Sequence, residues 1–240
     1  MNLFTRVSTL TIGSALALGV LAGPAAASAT LAPASVAADT AAPATTLTLA
    51  QAQSLAKADI SGRLSELRAL ALAVGQAPNL SAATRSALAA ELSANTTALN
   101  ALRTQAASET TVAAVQADIA TMENYHIYLL DSPQVRLSIA YADAGVVITR
   151  LQGSYGNLSG DLSKKKDPTP AEQAALADLQ SQITTAQSAL NGQESALLAL
   201  QPAASATLVA EIAQFEASEH NAQAALTQGS ADVTTLRGEL

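Results

Sequence analysis

The stretch that decides the fold is ENYHIYLLDSPQV, residues 123–135. It crowds two tyrosines and a histidine against a proline, in a chain dominated by alanine, leucine, threonine, serine and glutamine. Upstream, Val112, Val115, Ile119 and Met122 recur at steps of three and four, the spacing of one helix face, and His126 and Leu129 continue the series. Downstream, Leu137, Tyr141, Ala144, Ile148, Leu151, Tyr155, Leu158 and Leu162 form another such face. Between them stands Pro133, which has no N–H to donate and biases Ser132 away from helical backbone. Asp131-Ser132-Pro133 reads either as a cap with a first-turn proline that opens a new helix, or as a kink inside one helix. Carrying the face through 126, 129, 133, 137 and 141 needs only a four-residue stutter, which a continuous helix tolerates. The expectation is therefore one long helix kinked at Pro133, with Tyr125 and Tyr128 filling the space that the kink opens.

The same period extends outward in both directions. Ile60, Leu64, Leu67, Ala71 and Val74 line a first helix, closed by Gly75 and Pro78. A second begins near Ser81, where Leu88, Leu92, Leu99 and Leu102 keep the period and Asn95 stands where an apolar residue belongs. A polar residue in a seam costs stability and fixes register. A third begins near Glu109. The helix after Pro133 ends at KKKDP, residues 164–168, read as a solvated turn, and Gly153, Gly156 and Gly160 are expected to loosen its last turns. Thr169-Pro170-Ala171-Glu172 combines a capping threonine, a first-position proline and a capping-box glutamate, the firmest helix start in the chain. Leu176, Leu179, Ile183, Ala186, Leu190, Leu197 and Leu200 then mark one face up to Pro202. A last helix from about Ser205 carries Leu208, Ile212, Phe215, Ala222, Leu226, Val233 and Leu236. These faces predict an all-α fold: an elongated antiparallel bundle of five to six long helices with coiled-coil-like seams, forming one domain over residues 47–240. Alanine at so many contact positions leaves each helix little area to bury, so mutual packing must supply the stability.

Residues 1–29 have the layout of a signal peptide: Arg6, a short apolar run, and an Ala-x-Ala site at Ala27-Ser28-Ala29. Residues 30–46, with two prolines and no periodic face, read as a flexible linker. No cysteine follows the apolar run to take a lipid, and no second run is long enough to serve as a transmembrane anchor after cleavage. The expected destination is the extracellular space or the cell envelope. Cleavage removes Arg6 from the 12 basic residues, so 11 oppose 19 acidic ones and the net charge becomes −8. A nucleic-acid partner, which needs clustered basic charge, is thereby disfavoured. With no cysteine there are no disulfides, even in an oxidising compartment.

Chemistry is sparse. Beyond the leader the aromatics are Tyr125, Tyr128, Tyr141, Tyr155 and Phe215 alone. The two histidines, His126 and His220, are too few for a histidine-rich metal centre, and no H-E-x-x-H occurs. There is no G-x-S-x-G, and S-x-x-K at Ser54 and Ser163 lacks its partner motifs. Gly153, Gly156 and Gly160 have neither the lysine nor the strand of a phosphate loop. Paired carboxylates for glycoside hydrolysis would want a cleft with aromatic walls that this composition cannot build. No catalytic, cofactor-binding or metal-ligating residue is nominated. The candidate kink or binding site is Tyr125, His126, Tyr128, Pro133 and Tyr141.

The stretches ADIATMENYHIYLLDSPQVRLSIAYADAG (117–145) and AKADISGRLSELRAL (56–70) resemble a group of secreted, alanine-rich helical proteins of actinobacteria. That group carries a tyrosine-rich run, a proline and then V-x-L-x-x-A-x-D. Here those last positions are Val135, Leu137, Ala140 and, one place late, Asp143, and His126 stands where the group usually has arginine. The resemblance implies a compartment and a shape and assigns no activity. The functional expectation is a non-enzymatic exported structural or interaction protein, whose partner is a protein or an envelope polymer and which can form an oligomer. The alternatives are a small-ligand or polymer binding module with a pocket at Tyr125–Pro133, and a membrane-active helical protein. The polar faces, rich in Gln, Ser, Thr, Asp and Glu, lack the lysine and arginine of surface-active helices.

Overall fold

The cap residues set where each helix begins. In the computed structural model, which describes residues 47–239, Thr48 opens α1 (Leu49–Gln76) with a capping box, its hydroxyl accepting from Gln51 N at 3.3 Å and its own N–H donating to Gln51 Oε1 at 2.9 Å. Ser81 caps α2 (Ala82–Ser108) and Thr111 caps α3 (Val112–Glu123) by the same hydroxyl-to-N3 contact. α4 spans Asp131–Lys164, and α5 (Pro170–Leu190) starts at the Thr169 box with Pro170 in its first turn, as its sequence demands. α6 (Gln193–Leu198) and α7 (Ser205–Glu239) complete an all-α architecture with no strand among the described residues. The signal peptide expected over residues 1–29 and the linker expected over residues 30–46 both lie outside those residues.

The single kinked helix is not what forms. α3 stops at Glu123, and its end tightens through Tyr125 N donating to Met122 O at 3.3 Å and His126 N to Glu123 O at 3.2 Å. His126 then takes left-handed backbone with φ of 48°, which turns the chain and shifts the buried set by one residue. Ile127 and Leu130, at 0% and 1% exposure, fill the core where the helical period would have put His126 and Leu129. Pro133 is the third residue of α4, where a backbone N–H has no acceptor within the helix, so the proline costs nothing there. The first α-type bond runs one residue later, Gln134 N to Leu130 O at 2.9 Å. Pro133→Ala is therefore expected to shift the urea unfolding free energy by less than about 1 kcal/mol, against about 3 for a helix-interior proline. A stabilisation near the larger figure would place Pro133 inside a strained helix instead.

Four further expectations are corrected. The helix from Pro170 does not reach Pro202: it ends at Leu190, Gly192 takes φ of 74°, and α6 follows as a separate short helix. Gly153, Gly156 and Gly160 do not loosen α4, which stays helical to Lys164. In α1 the seam passes through Leu70 rather than Ala71, which is exposed. The lysine run is only partly a solvated turn, since Lys165 ion-pairs with the buried Glu172. That contact, with the cap bonds from Thr169, holds the Glu172 carboxyl below its ordinary range.

Two apolar cores result. The first is built by α1, α2 and α3 with Ile127 and Val135, and the second by α4, α5 and α7. A smaller cluster of Leu137, Tyr141, Leu197, Ile212 and Phe215 sits at the α4, α6 and α7 junction. α1 and α2 form an antiparallel hairpin, shown by Gln53 bonding Glu109 O at one end and Arg85 bonding Ala77 O at the other. α5 runs antiparallel to α4, with Tyr155 bonding Gln180. α7 runs parallel to α4: Arg136 pairs with Glu216, Tyr141 Oη donates to Phe215 O, and Arg237 approaches Ser154. Gly229 marks a close approach in the second core, where a Cβ would lie 3.2 Å from Leu151 Cδ1 and 3.4 Å from Leu179 Cδ1.

Candidate functional site

Polar groups gather at two places. The first is the joint between the cores. Asp131, Gln134 and Ser138 fall three and four residues apart on one face of α4 and are 2%, 0% and 0% exposed. Asn95, the polar residue in the α2 seam, donates to Asp131 Oδ2 at 2.7 Å. Gln134 Nε2 donates to Leu197 O of α6 at 2.9 Å, and Thr84 of α2 donates to Glu194 of α6 at 2.9 Å. Asn79, in the turn before α2, bonds Asp143 of α4 at 2.8 Å. Asp131 Oδ1, Gln134 Oε1 and Ser138 Oγ have no hydrogen-bond partner among the described residues. Burial of Asp131 outweighs the bond from Asn95 and pushes its carboxyl up from 3.8 to about 6. Glu91, one helical turn before Asn95, is also raised, first by burial and then by the charge of Asp131.

The second place is the α3–α4 loop. His126 and Tyr128 line a groove of about 400 Å³ together with Arg63 of α1, Glu123, Asn124, Leu129 and Ser205, the first residue of α7. An adjoining hollow of about 420 Å³ shares Asn124, His126 and Ser205 and is also lined by Pro202, Ala203 and Ala204. The Arg63 guanidinium lies over the Tyr128 ring, 5.4 Å from its centre. The tyrosine hydroxyl lies 3.7 Å from the position a Cβ would take on Gly62, an ordinary van der Waals contact.

The five candidate residues therefore part company. His126 and Tyr128 share the groove; Tyr125 turns half-buried onto the first core; Pro133 sits half-buried in the first turn of α4. Tyr141 is 5% exposed and its hydroxyl is spent on Phe215 O at 2.9 Å, with burial pushing it up to about 12. It borders a different, shallow hollow of about 780 Å³ with Gly145, Gln187 and Glu194. No single pocket is lined by all five. Sequence reasoning missed Arg63, which comes from a helix about 60 residues upstream of the loop, and also Asp131, Gln134 and Ser138. The last three were readable as a polar helix stripe once α4 is known to begin at Asp131.

His220 lies exposed on α7, and no cluster of three or more metal-ligating side chains occurs among the described residues. None of the described helices is long and apolar enough to cross a membrane. No protein-family model, no curated protein and no solved structure matches this chain.

Proposed function

We propose that this chain is a non-enzymatic, exported interaction protein of the cell envelope or extracellular space, whose helical faces contact a protein or an envelope polymer. One observation carries the reading: the polar side chains at the joint between the cores, with Tyr141, are used to join helices. Asn95 on Asp131, Gln134 on Leu197 O, Thr84 on Glu194 and Tyr141 on Phe215 O each tie one helix to another. Such contacts make a stiff scaffold, and they commit one polar atom of each of these groups to joining helices. Export rests on the leader of residues 1–29 and on the resemblance to secreted alanine-rich proteins. Expression with a carboxy-terminal tag in an actinobacterial host tests it. The expected product begins at Thr30 and is recovered from the medium or the envelope; an unprocessed chain in the cytoplasm would overturn it.

A second reading, a binding module at the α3–α4 loop, is supported by the groove that Arg63, His126 and Tyr128 share. A membrane-active role finds no comparable support.

A further inference from the structure

We propose that the groove between α1, the α3–α4 loop and the start of α7 binds an uncharged glycan, one sugar ring of which stacks on Tyr128. The inference rests on the second reading above and names its ligand class.

Tyr128 is 51% exposed, the most exposed aromatic side chain among the described residues; Arg63 lies over one face of its ring, and the other face is the one a sugar would stack on. Tyr125 and Tyr155 are half-buried, and Tyr141 and Phe215 belong to the core. An open ring has a hydration cost that a flat, weakly polar C–H surface relieves. A pyranose presents such a surface on its face, with hydroxyl groups around its edge. The edge finds its partners in the same groove. Arg63, Glu123, Asn124, His126, Tyr128 and Ser205 all line it, and none of these side chains makes a hydrogen bond or ion pair with the rest of the described protein. Arg63 Nε is even buried without an acceptor. Planar guanidinium, amide and carboxylate groups each offer two adjacent donors or acceptors, the pattern that matches neighbouring hydroxyls on a sugar.

Charge selects within the class. The Arg63 cation and the Glu123 carboxylate offset one another in the groove, and the chain as a whole is acidic, which disfavours an acidic polymer, so a neutral glycan fits best. Size agrees, since the two adjoining hollows of about 400 and 420 Å³ together extend beyond one sugar ring. The loop is held in place, because Ile127 and Leu130 on either side of Tyr128 are 0% and 1% exposed, so little ordering accompanies binding. Glu123 is the one carboxylate lining the groove, which leaves hydrolysis without its second acid. The groove holds a glycan and does not cut it.

The test uses the full chain with tetrasaccharides of glucose, mannose and N-acetylglucosamine, read by saturation-transfer NMR and by calorimetry. At least one is expected to bind at about 1 mM or tighter. Tyr128→Ala should weaken it about tenfold, Tyr128→Phe should retain it, and Tyr155→Ala should leave it unchanged. Circular dichroism confirms that each variant keeps its helix content, which an exposed side chain should not alter. Binding that ignores Tyr128→Ala would overturn the site. If no glycan binds, the glycan assignment falls; benzoate and free amino acids, added as probes, then decide whether the groove reading survives. Movement of the His126 ring signals with either probe would keep the groove as a site for another ligand, and no movement with any probe would remove that reading too.

Discussion

Asp131→Asn is expected to stabilise the protein by about 2 kcal/mol at pH 7.5 and to flatten its stability between pH 4 and 7. The carboxyl is 2% exposed, accepts one hydrogen bond and titrates at about 6 in the folded chain, against an ordinary 3.8. A raised carboxyl favours the folded state while it is protonated. Its contribution is complete below pH 3.8 and is lost as pH rises through about 6. At about 1.4 kcal/mol per pH unit the full swing is about 3 kcal/mol. Asparagine keeps an oxygen for the Asn95 donor and never ionises. Against the gain stands the loss of an acidic group in the first turn of α4, worth about 0.3–1 kcal/mol, so desolvation wins. Glu172 works in the opposite sense, since its lowered carboxyl stabilises above the ordinary 4.5 and loses that contribution only at more acid pH. Urea unfolding at half-unit pH intervals separates the two. A variant less stable than the parent at pH 7.5 would show that the Asp131 charge is used in the fold.

Leu64→Ala and Leu179→Ala are expected to cost about 2–5 kcal/mol each, and to do so in different parts of the molecule. Leu64, 1% exposed, belongs to the core of α1–α3; Leu179, 0% exposed, to that of α4, α5 and α7. The two clusters share no buried residue and meet through a few polar contacts and through Val135, Ile139 and Ala142 of α4 and Leu198 of α6, which pack on the first core. Amide exchange should therefore accelerate in α1–α3 for the first variant while α5 and α7 keep their protection, and the reverse for the second. Equal acceleration in both regions would mean that the cores open as one unit.

The helices were legible because their buried faces are leucine, isoleucine and valine at regular steps. Leu88, Leu92, Leu99 and Leu102 are all buried as their spacing implies, and the Thr169 box begins α5 where its residues demand. The breaks were less legible. Periodicity could be carried across Pro133 because a stutter is permitted in a straight helix, and nothing local marks His126, rather than a glycine, as the left-handed residue. At Asn191-Gly192 the signal was present, an asparagine followed by a glycine, but the leucines on both sides kept the helical period. The groove was half legible. His126 and Tyr128 stand two residues apart in the chain, whereas Arg63 and Ser205 reach them only through tertiary packing.

The parallel pairing of α4 with α7 governs the order in which the molecule can assemble. The α4–α5 hairpin closes over short loops, its contacts lying 7 and 25 residues apart. The α4–α7 contacts bridge 74 to 83 residues, so their loop-closure entropy is met late. During synthesis the first core can close while the ribosome is still working on α5. The α4–α5 hairpin, by contrast, waits with Leu151 and Leu179 uncovered until residues 205–239 have emerged, and that interval is when the chain is most open to aggregation or to capture by a chaperone.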